Sequence, residues 1–93
     1  MKEDLYTDFP KFYSTDKKKI DNLLTSVSMY CCTFSYITVR DYIDLYRKLS
    51  PGVEVKDGSI FWCIEYEDLR GNMRVKKDKT KGWYLEMPAA YLF

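Results

Sequence analysis

The sequence contains no histidine, so the residue that serves most often as a general base and as a metal ligand is missing. Glycine is also sparse, and each of its four occurrences lies in a segment with turn composition rather than in a phosphate-binding loop: Gly52, Gly58, Gly71 and Gly82. We therefore expect a protein that is not an enzyme and that holds no cofactor and no metal ion.

Cysteine occurs three times, as the adjacent pair Cys31 and Cys32 and as Cys63. An odd number with two neighbouring members does not make a disulfide framework, and without a CxxC pair the sequence does not indicate a zinc site. We expect three reduced thiols that pack as small apolar side chains, which is typical of a cytoplasmic protein.

Long hydrophobic runs are missing as well. The longest mostly uncharged window, residues 22–39, is rich in Ser, Thr and Tyr, and the first residues have no apolar run behind a basic start. The sequence therefore predicts neither a membrane span nor a signal peptide. Together with the reduced thiols, this indicates a cytoplasmic protein that does not enter a membrane.

Neither sign of charge dominates, because 15 Lys and Arg residues are balanced by 14 Asp and Glu residues, for a net charge of +1. This balance excludes a strongly basic nucleic-acid coat protein and an acidic DNA mimic. With 46% hydrophobic and 31% charged residues, the 93-residue chain has the composition of one globular domain.

We expect this single domain, residues 1–93, to consist of four consecutive segments. They are an aromatic N-terminal strap at 1–14, a helical hairpin at 15–50, a β-meander at 53–87 and an apolar tail at 88–93. The aromatic side chains of the strap favour packing onto the rest of the domain. The tail either docks on the sheet or meets a partner, and the sequence leaves both open.

Residues 15–35 show the clearest periodicity, with apolar side chains at the i, i+3, i+4, i+7 spacing of one helical face. These side chains are Ile20, Leu23, Leu24, Val27, Tyr30, Cys31 and Phe34. Ser14 or Thr15 is the predicted N-cap of this helix. Residues 27–38 are also rich in strand-forming types, so a helix to about residue 25 followed by a strand at 27–37 is the alternative to one continuous helix.

A second helix is predicted to begin after Thr38, whose side chain is a typical N-cap. Its apolar face consists of Val39, Tyr42, Ile43, Tyr46 and Leu49. The segment Ser50-Pro51-Gly52 ends this helix, because the residue before proline avoids the helical region and glycine allows a left-handed turn.

The last third of the chain alternates between apolar and charged residues, and it predicts three strands at 60–67, 73–77 and 83–87. In the register that keeps charges out of the core, Val75 lies opposite Leu85. The same register places Arg74 between Glu67 of the preceding strand and Glu86 of the following one. The predicted fold is therefore α+β, with two helices packed on one face of a three-stranded antiparallel β-meander.

Tyrosine is abundant, with nine copies, and its rigid apolar ring with a polar tip is typical of the residues that dominate protein interfaces. The tyrosines that fall off the predicted apolar faces, with the last residue, are the candidate partner-binding residues: Tyr6, Tyr13, Tyr36, Tyr84, Tyr91 and Phe93. We therefore predict a small non-catalytic inhibitor or regulator that binds another protein. A homo-oligomer is compatible with the same residues.

The compact size and the Lys-, Tyr- and Asn-bearing composition resemble small proteins from phages and mobile elements of low-GC bacteria, which include inhibitors of host defence. The resemblance implies that the partner is a protein of host defence. It also implies that the protein acts in the cytoplasm of the bacterial host.

The alternative prediction is nucleic-acid binding, because residues 70–81 combine six basic side chains with one acidic residue. The basic residues are Arg70, Arg74, Lys76, Lys77, Lys79 and Lys81. The segment Thr38-Val39-Arg40 at the start of a helix, with this hairpin after it, resembles the recognition helix and wing of winged helix-turn-helix regulators over about a third of the chain. The resemblance implies that the hairpin contacts the phosphate backbone.

Overall fold

A computed structural model describes residues 5–6, 9–52 and 62–92 of the chain. Its elements are β1 (Leu5–Tyr6), α1 (Lys17–Phe34), β2 (Tyr36–Thr38), α2 (Val39–Leu49), β3 (Trp62–Glu65), α3 (Tyr66–Leu69), β4 (Arg74–Asp78), β5 (Gly82–Glu86) and β6 (Ala90–Leu92). The chain is therefore an α+β domain of helices and antiparallel strands, as the sequence predicts. No helix in the described ranges is long and apolar enough to cross a membrane.

Helix α1 runs without interruption to Phe34, so the alternative strand at 27–37 does not form. Its N-cap is Asp16, whose carboxylate accepts the backbone N–H of Lys18 at 3.0 Å. Ser14, one of the two predicted caps, does not cap the helix itself. Its hydroxyl accepts the backbone N–H of Asp16 at 3.0 Å. The helix ends at Ser35, which has a left-handed φ of 69° and turns the chain into β2.

The core forms where the apolar faces of α1 and α2 meet. The side chains of α1 that are fully buried are Ile20, Leu23, Val27 and Cys31, and those of α2 are Val39, Tyr42, Ile43 and Tyr46. Both sets repeat every three or four residues, as a helix with one covered face requires. The predicted apolar faces therefore include all of these buried side chains, whereas Leu24, Tyr30 and Leu49 are half-buried and Phe34 at the end of α1 is exposed.

A capping box fixes the start of α2. The Thr38 hydroxyl accepts the backbone N–H of Asp41 at 3.1 Å, and the Asp41 carboxylate accepts the backbone N–H of Thr38 at 3.2 Å. Two N–H groups that the helix leaves unpaired are satisfied in this way. The predicted N-cap at Thr38 is confirmed, and α2 ends at Leu49, directly before the predicted stop at Ser50.

The larger sheet has the strand order β1-β6-β3-β2, with every neighbouring pair antiparallel. Ile37 lies opposite Ile64, and both side chains are fully buried against the helices. The apolar tail contributes β6, which pairs with β1 on one edge and with β3 on the other. The tail therefore docks on the sheet, which resolves the alternative that the sequence left open.

The smaller sheet is a hairpin of β4 and β5 in the register predicted from charge and hydrophobicity. Val75 lies opposite Leu85, and Arg74 lies opposite Glu86. Leu85 is buried against α1, while Glu86 lies on the other face, 3.2 Å from the Lys76 ammonium. Alternation of the two faces along the strands therefore determines which side of the hairpin carries charge.

The predicted three-stranded meander is present only in part. β3 belongs to the larger sheet, and the chain forms the helical turn α3 where the prediction continued the strand to residue 67. Glu67 consequently does not lie opposite Arg74. The physical reason is that a strand has two edges, and both edges of β3 pair with other strands, namely β2 and β6. Residues 60 and 61 of the predicted strand lie outside the described ranges.

The strap packs onto α2 through two buried rings. Phe12 stacks on Tyr46 with ring centroids 3.9 Å apart and an interplanar angle of 6°, and Phe9 lies 5.8 Å from Tyr42. Beyond these rings, Ser14 forms an isolated antiparallel bridge with Trp83 of β5. The strap is therefore joined to the helices at one end and to the hairpin at the other.

Candidate protein-binding surface

The predicted partner-binding tyrosines fall on two separate parts of the structure. Tyr36 and Tyr91 share the outer face of the larger sheet, because Tyr36 pairs with Glu65 and Tyr91 pairs with Cys63, two residues away on β3. The inner face of the same strands carries the buried Ile64. The sheet therefore brings together two tyrosines that are far apart in the sequence.

Two other predicted residues, Tyr13 and Tyr84, pack against each other on the hairpin, with ring centroids 5.3 Å apart. The backbone of Tyr6 pairs with Ala90, and its side chain lies outside the described part of the structure, as does Phe93. The four predicted residues whose side chains the structure describes therefore form two separate pairs.

The exposed large apolar side chains of the described residues all lie within residues 29–36. Met29 is 67% exposed, Phe34 is 55% exposed and Tyr36 is 38% exposed. The periodicity of α1 assigned Phe34 to the buried face, which is wrong, because the helix ends at this residue and its last turn extends beyond the core. The end of α1 and the start of β2 thus present apolar surface that the fold itself does not cover.

Phe34 belongs to a group of three rings that we call the aromatic corner, composed of Tyr30, Phe34 and Tyr36. The ring centroids of Tyr30 and Phe34 are 4.6 Å apart at an interplanar angle of 41°. Burial, a hydrogen bond with Asp41 and the proximity of Tyr36 together raise the pKa of Tyr30 to about 12. The Tyr30 hydroxyl therefore remains protonated and connects the corner to the capping box of α2.

A groove of about 430 Å³ lies beside the aromatic corner, on the outer face of β2 and β3. Its lining residues are Ser35, Tyr36, Cys63, Glu65, Tyr66 and Glu67. The Cys63 side chain is buried and forms the floor. The groove exists because β3 ends at residue 65 and α3 then turns away from the sheet, which raises Tyr66 as one wall.

Two hydrogen bonds attach this wall to the end of α1. The backbone N–H of Tyr66 donates to the carbonyl oxygen of Ser35 at 2.8 Å, and the thiol of Cys32 donates to the Tyr66 hydroxyl at 3.3 Å. The hydrogen bond with Cys32 raises the pKa of the Tyr66 hydroxyl. The wall is therefore held in place by contacts within the fold itself.

The groove carries two acidic side chains. Glu65 and Glu67 are both exposed and both line it, whereas its other lining groups are two phenol rings, a thiol and a hydroxyl. The i, i+2 spacing of the two glutamates was a signal for this groove, but the predicted meander assigned Glu67 to a cross-strand pair with Arg74. The arrangement can hold a cationic side chain between two carboxylates, with aromatic surface at its sides.

Five of the six predicted nucleic-acid-binding residues belong to the hairpin of β4 and β5. Lys76, Lys77, Lys79 and Lys81 are exposed on the hairpin, as is Arg74. Arg70 is also exposed, but it follows α3 and lines a different hollow, formed with Met73 and α1. The hairpin packs against α1 through Leu85 rather than beside α2, so the structure does not place a wing next to the predicted recognition helix.

Within the described ranges, no three His, Cys, Asp or Glu side chains come together in a way that could hold a metal ion. Comparison with known proteins gives no match: no protein-family model, no curated protein and no solved structure is similar to this chain. The function is therefore inferred from the chemistry of the surfaces.

Proposed function

We propose that the protein is a non-catalytic inhibitor or regulator that binds a partner protein through the aromatic corner and the adjoining acidic groove. The observation that carries the proposal is the exposure of Phe34, which is 55% accessible although it continues the buried stripe of α1. Large apolar groups concentrated on one surface are typical of interaction sites.

The apolar area of the aromatic corner contributes to the free energy of binding. Covering a large apolar side chain such as Phe34 contributes roughly 1.5–3 kcal/mol relative to leaving it in water. Tyr36 and Tyr66 add rings with few rotatable bonds, so little conformational entropy is lost when a partner covers them. Since Tyr66 is already held by two hydrogen bonds to α1, binding requires little rearrangement of the groove.

The acidic groove defines the chemistry of the partner. We infer a partner surface that presents an Arg or Lys side chain beside an apolar one. The cation enters between Glu65 and Glu67, and the apolar side chain covers Phe34. An arginine satisfies both requirements best, because its planar group pairs with carboxylates and stacks on rings such as Tyr36. The phage-like composition supports a bacterial host protein as the target.

The proposal is tested by comparing what three immobilised proteins retain from extracts of low-GC bacteria. The first is the wild type, the second carries Phe34→Ser with Tyr36→Ser, and the third carries Tyr84→Ala, which removes an aromatic ring from the distant hairpin. We expect one protein to be retained in equimolar amount by the wild type and the Tyr84 variant and to be lost from the double variant. Circular dichroism verifies that all three are folded.

The proposal is wrong if the double variant retains the same proteins as the wild type, or if no protein is retained stoichiometrically. A second pair of variants examines the groove separately. Glu65→Gln with Glu67→Gln is expected to weaken binding in a salt-dependent manner, since it removes charge and keeps shape. The control is Asp44→Gln with Glu86→Gln, which removes the same charge elsewhere.

A further inference from the structure

The hairpin and the strap form a second surface in which lysines lie over aromatic rings. The Lys81 ammonium is 5.0 Å from the ring centroid of Tyr13, and the Lys11 ammonium is 5.4 Å from that of Tyr84. Tyr84 alternates with the buried Leu85 along β5, so its ring lies on the outer face of the hairpin, together with the ring of Tyr13. Cations and rings are therefore interleaved on this outer face. Its members, called the basic ring surface, are Lys11, Tyr13, Lys81 and Tyr84.

The carboxylates close to this surface are engaged in local structure. Asp78 accepts the backbone N–H groups of Thr80 and Lys81, at 2.9 and 3.0 Å, and thereby closes the hairpin turn. These hydrogen bonds lower the pKa of Asp78. Glu86 forms an ion pair with Lys76 at 3.2 Å.

The lysines of the surface have no such partner. In the described part of the chain, no carboxylate lies within ion-pair distance of Lys11 or Lys81, and each of these ammonium groups lies over a ring. Glu86 is thus paired with Lys76 and the ionised Asp78 is held in the turn, while the ammonium groups of Lys11 and Lys81 remain available to an anionic ligand.

The strap contributes to this surface because its backbone is fixed to the hairpin. Ser14 and Trp83 bridge the two segments, and the bridge brings the ring of Tyr13 to 5.3 Å from the ring of Tyr84. Two rings that come from different segments are therefore held side by side on one face. A series of aromatic rings among lysines is what a single-stranded polynucleotide requires, since bases stack on rings and phosphates pair with ammonium groups.

We propose that the basic ring surface binds single-stranded nucleic acid. Phosphates draw the ammonium groups of Lys11 and Lys81 away from the rings, and the released ring faces of Tyr84 and Tyr13 accept bases. The ammonium–ring contacts are weak at exposed sites, so this exchange is favourable once phosphates are present. The winged-helix arrangement is not needed, because α2 does not take part. The proposal is independent of the protein-binding surface.

The experiment measures fluorescence anisotropy of labelled oligonucleotides of about 15 nucleotides, which is near the site size of small single-strand-binding domains. Oligo(dT), oligo(rU) and a duplex of the same length are titrated with the full chain. We expect either single strand to bind more tightly than the duplex. If three or four phosphates are neutralised, affinity falls roughly 20- to 50-fold between about 50 and 200 mM salt.

Two kinds of variant separate the contributions of charge and ring. Lys11→Gln with Lys81→Gln is expected to reduce the slope of log affinity against log salt by about 1.4, because each phosphate contact contributes about 0.7 for a single strand. Tyr84→Ala is expected to lower affinity several-fold at every salt concentration and to leave the slope unchanged. Lys48→Gln, at an exposed position of α2, is the control and leaves binding as in the wild type.

Three results would overturn the proposal. They are the absence of an anisotropy change with both single strands at low salt, a duplex affinity equal to or above that of the single strands, and equal binding by Tyr84→Ala and the wild type. The last result would identify general attraction of polyanions rather than a stacking site. Competition by heparin distinguishes the same alternatives, because heparin is a polyanion without bases. If stacking contributes nothing, heparin displaces the labelled oligonucleotide as effectively as unlabelled oligo(dT) does.

Discussion

Ser14 and Trp83 exchange both of their backbone hydrogen bonds across the boundary between strap and hairpin. The N–H of Ser14 donates to the carbonyl oxygen of Trp83 at 2.9 Å, and the N–H of Trp83 donates to that of Ser14 at 2.7 Å. This bridge extends the two-stranded sheet by one residue from the other end of the chain. It therefore links the N-terminal segment to the hairpin of β4 and β5, a pairing that the sequence does not predict.

The first prediction concerns Gly82, which precedes the bridge and has a φ of +100°. A Cβ atom at this position would lie 2.6 Å from the carbonyl oxygen of Ser14, so Gly82→Ala must break the bridge or shift the strap. We expect a loss of about 2–4 kcal/mol in the free energy of unfolding, from backbone strain and overpacking together. Urea unfolding followed by tryptophan fluorescence measures it.

Gly71→Ala is the matched control for this prediction. Gly71 also has a positive φ, of +81°, but a Cβ atom there meets nothing within 4 Å. Its substitution should therefore cost only backbone strain, about 1–2 kcal/mol. Equal losses in the two variants would contradict the close contact between Gly82 and Ser14.

The second prediction concerns the capping box of α2. Thr38→Ala removes the hydroxyl that accepts the N–H of Asp41, and we expect unfolding free energy to fall by about 1 kcal/mol. Thr25→Ala serves as the control, since Thr25 is exposed within α1 and its substitution should change stability by less than about 0.5 kcal/mol. Similar effects at the two positions would show that the box does not stabilise the helix.

The third prediction concerns the hydroxyl of Tyr42, which is buried and has no hydrogen-bond partner in the described part of the structure. Tyr42→Phe removes this oxygen and preserves the ring contacts with Phe9 and Phe12. We expect the variant to be more stable than the wild type by about 1 kcal/mol, because an unsatisfied buried polar group is costly. Tyr42→Ala, in contrast, should lose about 3–5 kcal/mol. A Tyr42→Phe variant that is less stable than the wild type would show that the Tyr42 hydroxyl has a stabilising partner.

The fourth prediction is a dependence of stability on alkaline pH that originates at Cys31. Burial raises the pKa of this thiol to about 11, whereas an unfolded cysteine titrates near 8.5. Because the raised folded pKa disfavours the thiolate, the contribution is fully present below about pH 8.5 and is lost as the pH rises towards 11.

Cys31→Ala is therefore expected to flatten the decline of unfolding free energy between about pH 8.5 and 9.5, where most unfolded tyrosines are still protonated. Cys32→Ala is the control, because Cys32 is exposed. Denaturant titrations at a series of pH values provide the measurement. An unchanged pH profile in Cys31→Ala would contradict the prediction.

Local patterns predicted those parts of the fold that depend on neighbours in the sequence. The start of α2 follows from Thr38, and the register of β4 and β5 follows from the match of Val75 with Leu85. The pairing of β3 could not be predicted in the same way, because its partners are backbone edges of β2 and of the C-terminal tail. Backbone hydrogen bonds carry no side-chain signal that would identify a distant partner.

The candidate site was predictable only for Tyr36. Helical periodicity indicated which face of α1 carries Phe34. It contains no information on where along the helix the core ends, and the end of the core decides whether the ring is covered. Glu67 lines the groove because α3 interrupts the strand, and the interruption follows from the long-range pairing of β3. The site therefore depends on the same tertiary contacts that the sequence does not reveal.

The central claim, that the aromatic corner and the acidic groove contact a partner protein, is tested most directly by site-specific photo-cross-linking in bacterial cells. A photoreactive phenylalanine analogue is placed at Phe34, at Tyr36 or, as a control, at the exposed Lys48 of α2. The account predicts that the first two positions cross-link to one and the same protein and that position 48 does not. Cross-linking of that protein from position 48 alone, or from none of the three positions, would contradict it.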